Sequence, residues 1–190
     1  MVIMQELLIE TQTFKPSVLL KEGKVSTSGN PIVTGILATA EVKNGNGRYY
    51  SRSIWEREMN KYDELIKERR ALSELDHPES QIINLNNVSH LITRWWWDGD
   101  HIMGDIEILP TPSGNILKAL FENNISIGVS SRGMGSVEQK GEILEVQSDF
   151  TLIAFDMVST PSNPGSWMKP KSLIESINHG FNKYSKTNIS

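Results

Sequence analysis

Cysteine is absent from this chain of 190 residues. That excludes thiol nucleophiles, disulfide staples and cysteine-ligated zinc, and it fits synthesis in a reducing compartment. No uninterrupted apolar run approaches the roughly 20 residues that span a bilayer, and no basic region followed by a hydrophobic one opens the chain, which predicts a soluble cytoplasmic product. Three Asn-X-Ser sequences, at Asn87, Asn124 and Asn188, therefore predict no glycosylation. An excess of positive charge is missing too. With 19 Lys and Arg against 23 Asp and Glu the net charge is −4, and mixed signs along the chain give no general affinity for nucleic acid. Internal repeats are lacking, and the length suits one domain that buries a core without metal or disulfide support.

What is present is a series of short β-like runs with a few helical patterns. Residues 11–31 are rich in Thr, Ser, Lys, Gly and Pro, which predicts a mobile arm after an N-terminal strand. Residues 32–42 are β-branched and bounded by Pro31 and the turn cluster Asn44-Gly45-Asn46-Gly47, which predicts a strand. Ser51 caps a predicted helix whose Ile54, Trp55, Met59, Tyr62 and Leu65 share one face. Val88 to Trp97 and Ile102 to Ile108 flank Asp98-Gly99-Asp100, a hairpin signal. Thr111 or Ser113 opens a short helix through Phe121. Strand-like runs follow from Ile125 to Val137, Ile143 to Val146 and Phe150 to Val158, with Glu138 to Gly141 as a polar connection, and Lys171 to His179 reads as a terminal helix. The pattern is a mainly β core with flanking helices, an α+β class.

One segment concentrates chemistry. Gly128-Val129-Ser130-Ser131-Arg132-Gly133-Met134-Gly135 sets two hydroxyls among residues that permit close backbone approach. A serine becomes a nucleophile when an imidazole takes its proton, and the imidazole works best when a carboxylate fixes its tautomer. Of four histidines, His90 lies in a strand-like run, His101 beside the hairpin turn and His179 near the C-terminus, whereas His77 stands in the structured context Glu74-Leu75-Asp76-His77-Pro78. Asp156 interrupts the apolar run Leu152 to Val158, where a lone buried carboxylate needs a partner. Asp76, next to His77, is poorly placed to face its ring. Adjacent strand residues point to opposite faces, so Ser130 and Ser131 are rivals. Trp95-Trp96-Trp97 has only Arg94 beside it, too little for a nucleic-acid stacking platform. A metal set drawn from Asp76, His77 and His90 lacks ligand spacing, and Gly133-Met134-Gly135 lacks the third glycine of a nucleotide fingerprint.

These pieces, together with Leu7-Leu8-Ile9-Glu10, Ala40-Glu41-Val42, Asn46-Gly47-Arg48, Tyr50, Pro161-Ser162 and Trp167, occur in an order and spacing that resembles the prohead core protein proteases of T-even-like tailed phages. The resemblance covers roughly residues 5–171. The chain runs only a short way past Lys171, where such proteases can carry a longer extension. The resemblance implies a closed β-barrel of the type shared with herpesvirus assembly proteases, with 1–31 as N-terminal strand and arm, 32–171 as protease domain and 172–190 as C-terminal helix or tail. It implies a serine endopeptidase with Ser130 as nucleophile, His77 as general base and acid, and Asp156 as orienting acid. Ser131, Arg132 and Gly133 are then candidates for the oxyanion or substrate contacts. No cofactor and no metal are implied.

The family's pattern implies substrates among the scaffolding core and capsid proteins, cut after Leu-X-Glu or Ile-X-Glu inside the prohead in the host cytoplasm, with no nucleic-acid or membrane partner and with self-association open. It also implies synthesis as an inactive precursor. Glu22 and Glu175 sit in sequences of the cut type and are candidate self-cleavage points. Two competitors come from other classes: a non-catalytic structural protein of the scaffold or of a tube-like barrel, because fold does not set function, and a metal-dependent hydrolase around His77 and His90.

Overall fold

The helical face around Trp55 organises the molecule. In the computed structural model, which describes residues 4–15, 25–76 and 78–159, helix α1 (Arg52–Lys67) begins where Ser51 Oγ accepts the Ile54 N–H at 3.3 Å, as its sequence predicts. Its buried side chains include Ile54, Trp55, Met59 and Tyr62. Trp55 stacks on Tyr50 at 5.2 Å between ring centroids and meets Phe150 edge-on at 5.5 Å, so the helix is fixed by aromatic contacts from both directions along the chain.

Strands supply the rest of the core. β1 (Glu6–Phe14), β7 (Ile127–Gly135) and β10 (Thr151–Ser159) form one antiparallel sheet with β7 in the centre. A second sheet runs β2 (Ile32–Thr39), β6 (His101–Ile108), β5 (Val88–Asp98), β4 (Leu72–Glu74). The predicted hairpin is its centre. A third, smaller sheet joins β3 (Arg48–Tyr49), β9 (Ile143–Val146) and β8 (Val137–Lys140). Helix α2 (Pro112–Glu122) packs near the second sheet, its Thr111 hydroxyl accepting the Gly114 N–H at 2.9 Å.

Three expectations need correction. The N-terminal arm does not begin at residue 11: β1 continues to Phe14 because Thr11, Gln12 and Thr13 have ladder partners in Ser130, Val129 and Gly128. Residues 138–140 are not a bare connection, since Glu138, Gln139 and Lys140 pair with β9 while their side chains stay exposed. The closed barrel is also absent among the described residues, where the ladders form three separate sheets. β4 is too short to weld the sheets together and meets β10 through one parallel bridge, Leu75 to Met157, while β1 and β2 share no ladder. The result is a mainly β, α+β fold whose sheets are neighbours without hydrogen-bonded closure. The expected terminal helix at 171–179 lies outside the described residues.

Candidate active site

Register decides which side chains meet. Ser130 is the ladder partner of Thr11 on one side and Asp156 on the other. Opposed residues of an antiparallel pair share a face, so Ser130, Asp156 and, two residues along, Arg132 lie on one side of the sheet. Ser131, opposite Glu10 and Phe155, lies on the other. All three members of the first set are fully buried. The Thr11 hydroxyl donates to Ser130 Oγ at 3.4 Å.

Asp156 has its partners there. Arg132 donates from Nε to Oδ2 at 2.8 Å and from Nη2 to Oδ1 at 3.1 Å, and the Glu74 N–H donates to Oδ1 at 3.0 Å. The same guanidinium reaches Glu74 Oε2 at 2.9 Å and the Ser80 carbonyl at 2.9 Å. A carboxylate oxygen has about two acceptor positions. Among the described residues those of Oδ1 are filled and one on Oδ2 is left. Burial pushes Asp156 up to about 6, against the opposing pull of Arg132 and the Glu74 N–H.

β4 leads from this cluster towards His77. Leu75 bridges Met157, and the Asp76 N–H donates to the Met157 carbonyl at 2.7 Å, one residue along from Asp156. Asp76 takes a left-handed backbone with φ 65°, which turns the chain out of the strand. His77 itself, like Glu22 and Glu175, lies outside the described residues.

The three candidates for oxyanion or substrate contacts have other occupations. β7 runs between two paired strands, so the main chain of Ser131, Arg132 and Gly133 faces ladder partners. Arg132 is the hub of the buried ion pairs. Gly133 lets Phe150 approach, since a Cβ there would stand 2.5 Å from its ring. Ser131 faces a cavity of about 400 Å³ also lined by Glu10, Gln12, Leu37, Tyr50 and Trp55. Its Glu10 is saturated: Arg48 and Tyr50 donate to one oxygen, Asn44 and Asn46 to the other. The cavity therefore offers no free charge among its lining residues.

The remaining candidates sort themselves by partners. His90 is buried, with Nδ1 2.7 Å from Ser89 Oγ and Nε2 2.7 Å from the Phe155 carbonyl, and burial pushes it down to about 4. Both nitrogens are engaged, which removes it as a metal ligand or base. His101 contacts Thr39 Oγ1 at 2.9 Å on the surface. Trp95 donates to Asp63 at 2.7 Å, Arg94 covers Trp96 and Arg52 covers Trp97, so the tryptophans pack against α1 and the hairpin. Among the described residues no helix is long and apolar enough to cross a membrane. Glu74 is the member that sequence reasoning missed. Its signal is slight, an acid between Ser73 and Leu75 at the end of the short strand Leu72–Glu74.

The sheet brings a serine, an aspartate and a buried arginine into register on one face, and the chain belongs to the prohead core protein serine protease family, whose model matches residues 9–178. It is thus a bacteriophage protease of prohead and capsid assembly. The chain is 32% identical over 149 residues, 76% of its length and 70% of the relative's, to the prohead core protein protease of Enterobacteria phage T4. The solved structure of the bacteriophage T4 capsid assembly protease matches it with a TM-score of 0.73 at 27% identity, covering 83% of this chain and 99% of that one.

Proposed function

We propose that the protein is a serine endopeptidase in which Ser130 attacks the scissile carbonyl, His77 takes the serine proton and returns it to the leaving amine, and Asp156 holds the imidazole in the required tautomer. The observation that carries this reading is the register: Ser130 and Asp156 are cross-strand partners on one face, and the chain from Asp156's neighbour Met157 is bonded to Asp76, the residue before His77. The acceptor position left on Asp156 Oδ2 suits an imidazole N–H. Ser131, turned to the opposite face, is the residue that this arrangement disfavours.

The substrates are the scaffolding core and capsid proteins of the phage, cut after Leu-X-Glu or Ile-X-Glu within the prohead. Self-processing follows the same pattern. Glu10, Glu56, Glu74 and Glu145 all end such sequences but lie in β1, α1, β4 and β9, where a cleft cannot take an extended segment. Glu175 and Glu22 are the proposed self-cleavage points, suppressed in Ser130→Ala.

The test is incubation of purified protein with the phage's own scaffold protein, read by mass spectrometry, with and without a fluorophosphonate. Cuts after Leu-X-Glu or Ile-X-Glu, covalent labelling of Ser130 and no response to chelators are expected. Absence of labelling with intact scaffold would favour the structural-protein reading, and loss of cleavage with a chelator would favour a metal hydrolase.

A further inference from the structure

We infer that Thr11 is a positioning residue for the nucleophile, its hydroxyl holding the Ser130 oxygen so that the serine proton points away from β1. The inference rests on the serine-protease reading above and adds a residue to it.

Three strands set the row. Thr11, Ser130 and Asp156 are successive ladder partners across β1, β7 and β10, so their side chains stand on one face of the sheet. Within that row Thr11 Oγ1 donates to Ser130 Oγ at 3.4 Å, and no other hydrogen bond reaches the serine oxygen among the described residues. Asp156, on the far side, is engaged by Arg132 and the Glu74 N–H instead. Ser130 is fully buried, and a buried hydroxyl keeps the partners that the fold gives it.

The methyl group of Thr11 fixes where its hydroxyl lies. A β-branched side chain has few χ1 choices, and this one leans over Gly128, on the same face of β7, where a Cβ would stand 3.3 Å from Thr11 Cγ2 and 3.0 Å from a Val158 methyl. Glycine leaves the space that the methyl takes. With the methyl seated there, the hydroxyl is turned along the ladder to Ser130. The chemistry follows from counting positions on the serine oxygen, which carries one proton and two lone pairs. The Thr11 hydrogen bond takes one lone pair, so the proton of Ser130 must point elsewhere and the second pair is free for the scissile carbonyl carbon. In attack that pair forms the O–C bond, the O–H bond gives its proton to the general base, and the carbonyl π electrons move to the carbonyl oxygen. Thr11 disfavours the rotamers that would turn the proton back to β1. It also eases departure of the proton, because an oxygen that accepts a hydrogen bond bears developing negative charge better.

The test compares Thr11→Val, which keeps the branching but loses the hydroxyl, with Thr11→Ser, which keeps the hydroxyl and loses the methyl. The readouts are kcat and KM on a scaffold-derived peptide containing a Leu-X-Glu sequence, the rate of fluorophosphonate labelling of Ser130, and urea denaturation. Thr11→Val should lower kcat and the labelling rate together by about tenfold with KM little changed, while Thr11→Ser should stay within about threefold of the parent. Stability should rank the other way, with Thr11→Val at least as stable as Thr11→Ser, because valine suits a strand. Parental activity in a folded Thr11→Val overturns the inference. So does Thr11→Ser slowed as far as Thr11→Val, the order that a purely structural role would give. If Thr11→Val does not fold, Thr11→Ala set against Thr11→Ser decides the same question. A parent that is not labelled at Ser130, with cleavage surviving in Ser130→Ala, would instead sink the serine-protease reading and the role of Thr11 with it.

Discussion

The β1–β7–β10 sheet carries a carboxylate cluster on each face, fully buried at Glu74 and Asp156 and partly buried at Glu10, and the two are built to different standards. On the cavity side, Glu10 meets Arg48, Tyr50, Asn44 and Asn46, so all of its acceptor positions are used and its charge is matched. On the Ser130 side, Arg132 must serve both Asp156 and Glu74, and among the described residues one oxygen stays bare and the charge does not close. The fold thus shows that it can complete such a cluster, and it does so on the face opposite the proposed nucleophile. Incompleteness distinguishes the face proposed to carry the chemistry, since a carboxylate with a vacant acceptor position is the one that can still receive an imidazole N–H.

The largest effect expected from this contrast is on turnover. Ser130→Ala should reduce scaffold cleavage by roughly 10⁶-fold, while Ser131→Ala on the cavity side should leave it within a few-fold, both measured on protein checked for folding by circular dichroism. The reverse result would move the chemistry to the other face. Next comes Asp156→Asn, which should lower kcat by about 10⁴-fold and yet leave a folded protein, because Arg132 and Glu74 remain as a matched pair.

That variant also carries a pH signature. Asp156 titrates at about 6 in the folded protein, above the usual carboxylate value of about 3.9, so the native state binds the proton more tightly than the unfolded one. Its contribution to stability is fully present below about 4 and is lost as pH rises through about 6. Urea denaturation should therefore find Asp156→Asn gaining on its parent between those values. A difference that stays flat with pH would refute the raised Asp156.

Arg132→Met ranks third, with a loss of about 3–5 kcal/mol in denaturant unfolding at neutral pH, because two buried carboxylates lose their shared cation. Its counterpart Arg48→Met should lose less, roughly 1–3 kcal/mol, since Asn44, Asn46 and Tyr50 still hold Glu10. Equal losses would erase the contrast between the clusters. The smallest effect belongs to Gly133→Ala, where the added methyl pushes on the Phe150 ring and costs about 1–3 kcal/mol without altering the pH profile.

Much of this architecture is legible in the chain. The Ser51 cap, the Asp98-Gly99-Asp100 turn and the Thr111 cap each announce themselves by local chemistry, and the elements they bound appear as read. The inner half of β1 does not, because Thr11, Gln12 and Thr13 are polar and owe their strand conformation to β7, far away in sequence. β8 is hidden for the same reason, its side chains being exposed. Sheet closure has no local signature at all. At the site, the opposition of Ser130 and Ser131 follows from strand alternation alone, and Asp156 stands out as an acid in an apolar run. Arg132 reads from the sequence only as a candidate for oxyanion or substrate contacts, and only long-range register reveals its partners Glu74 and Asp156. Glu74 needed the same information.

The lateness of β10 has a consequence for when such a protein becomes dangerous to its surroundings. The strand lies at residues 151–159, and its Met157 carbonyl receives the Asp76 N–H. During synthesis, Glu74 and Ser130 are both made before the strand that joins them, and contacts across many residues are the slow ones to form. A nascent or truncated chain without β10 holds its serine on the surface of an unfinished two-strand ladder, with Arg132 lacking Asp156. The order of the chain itself keeps the proposed site unassembled until β10 has been made.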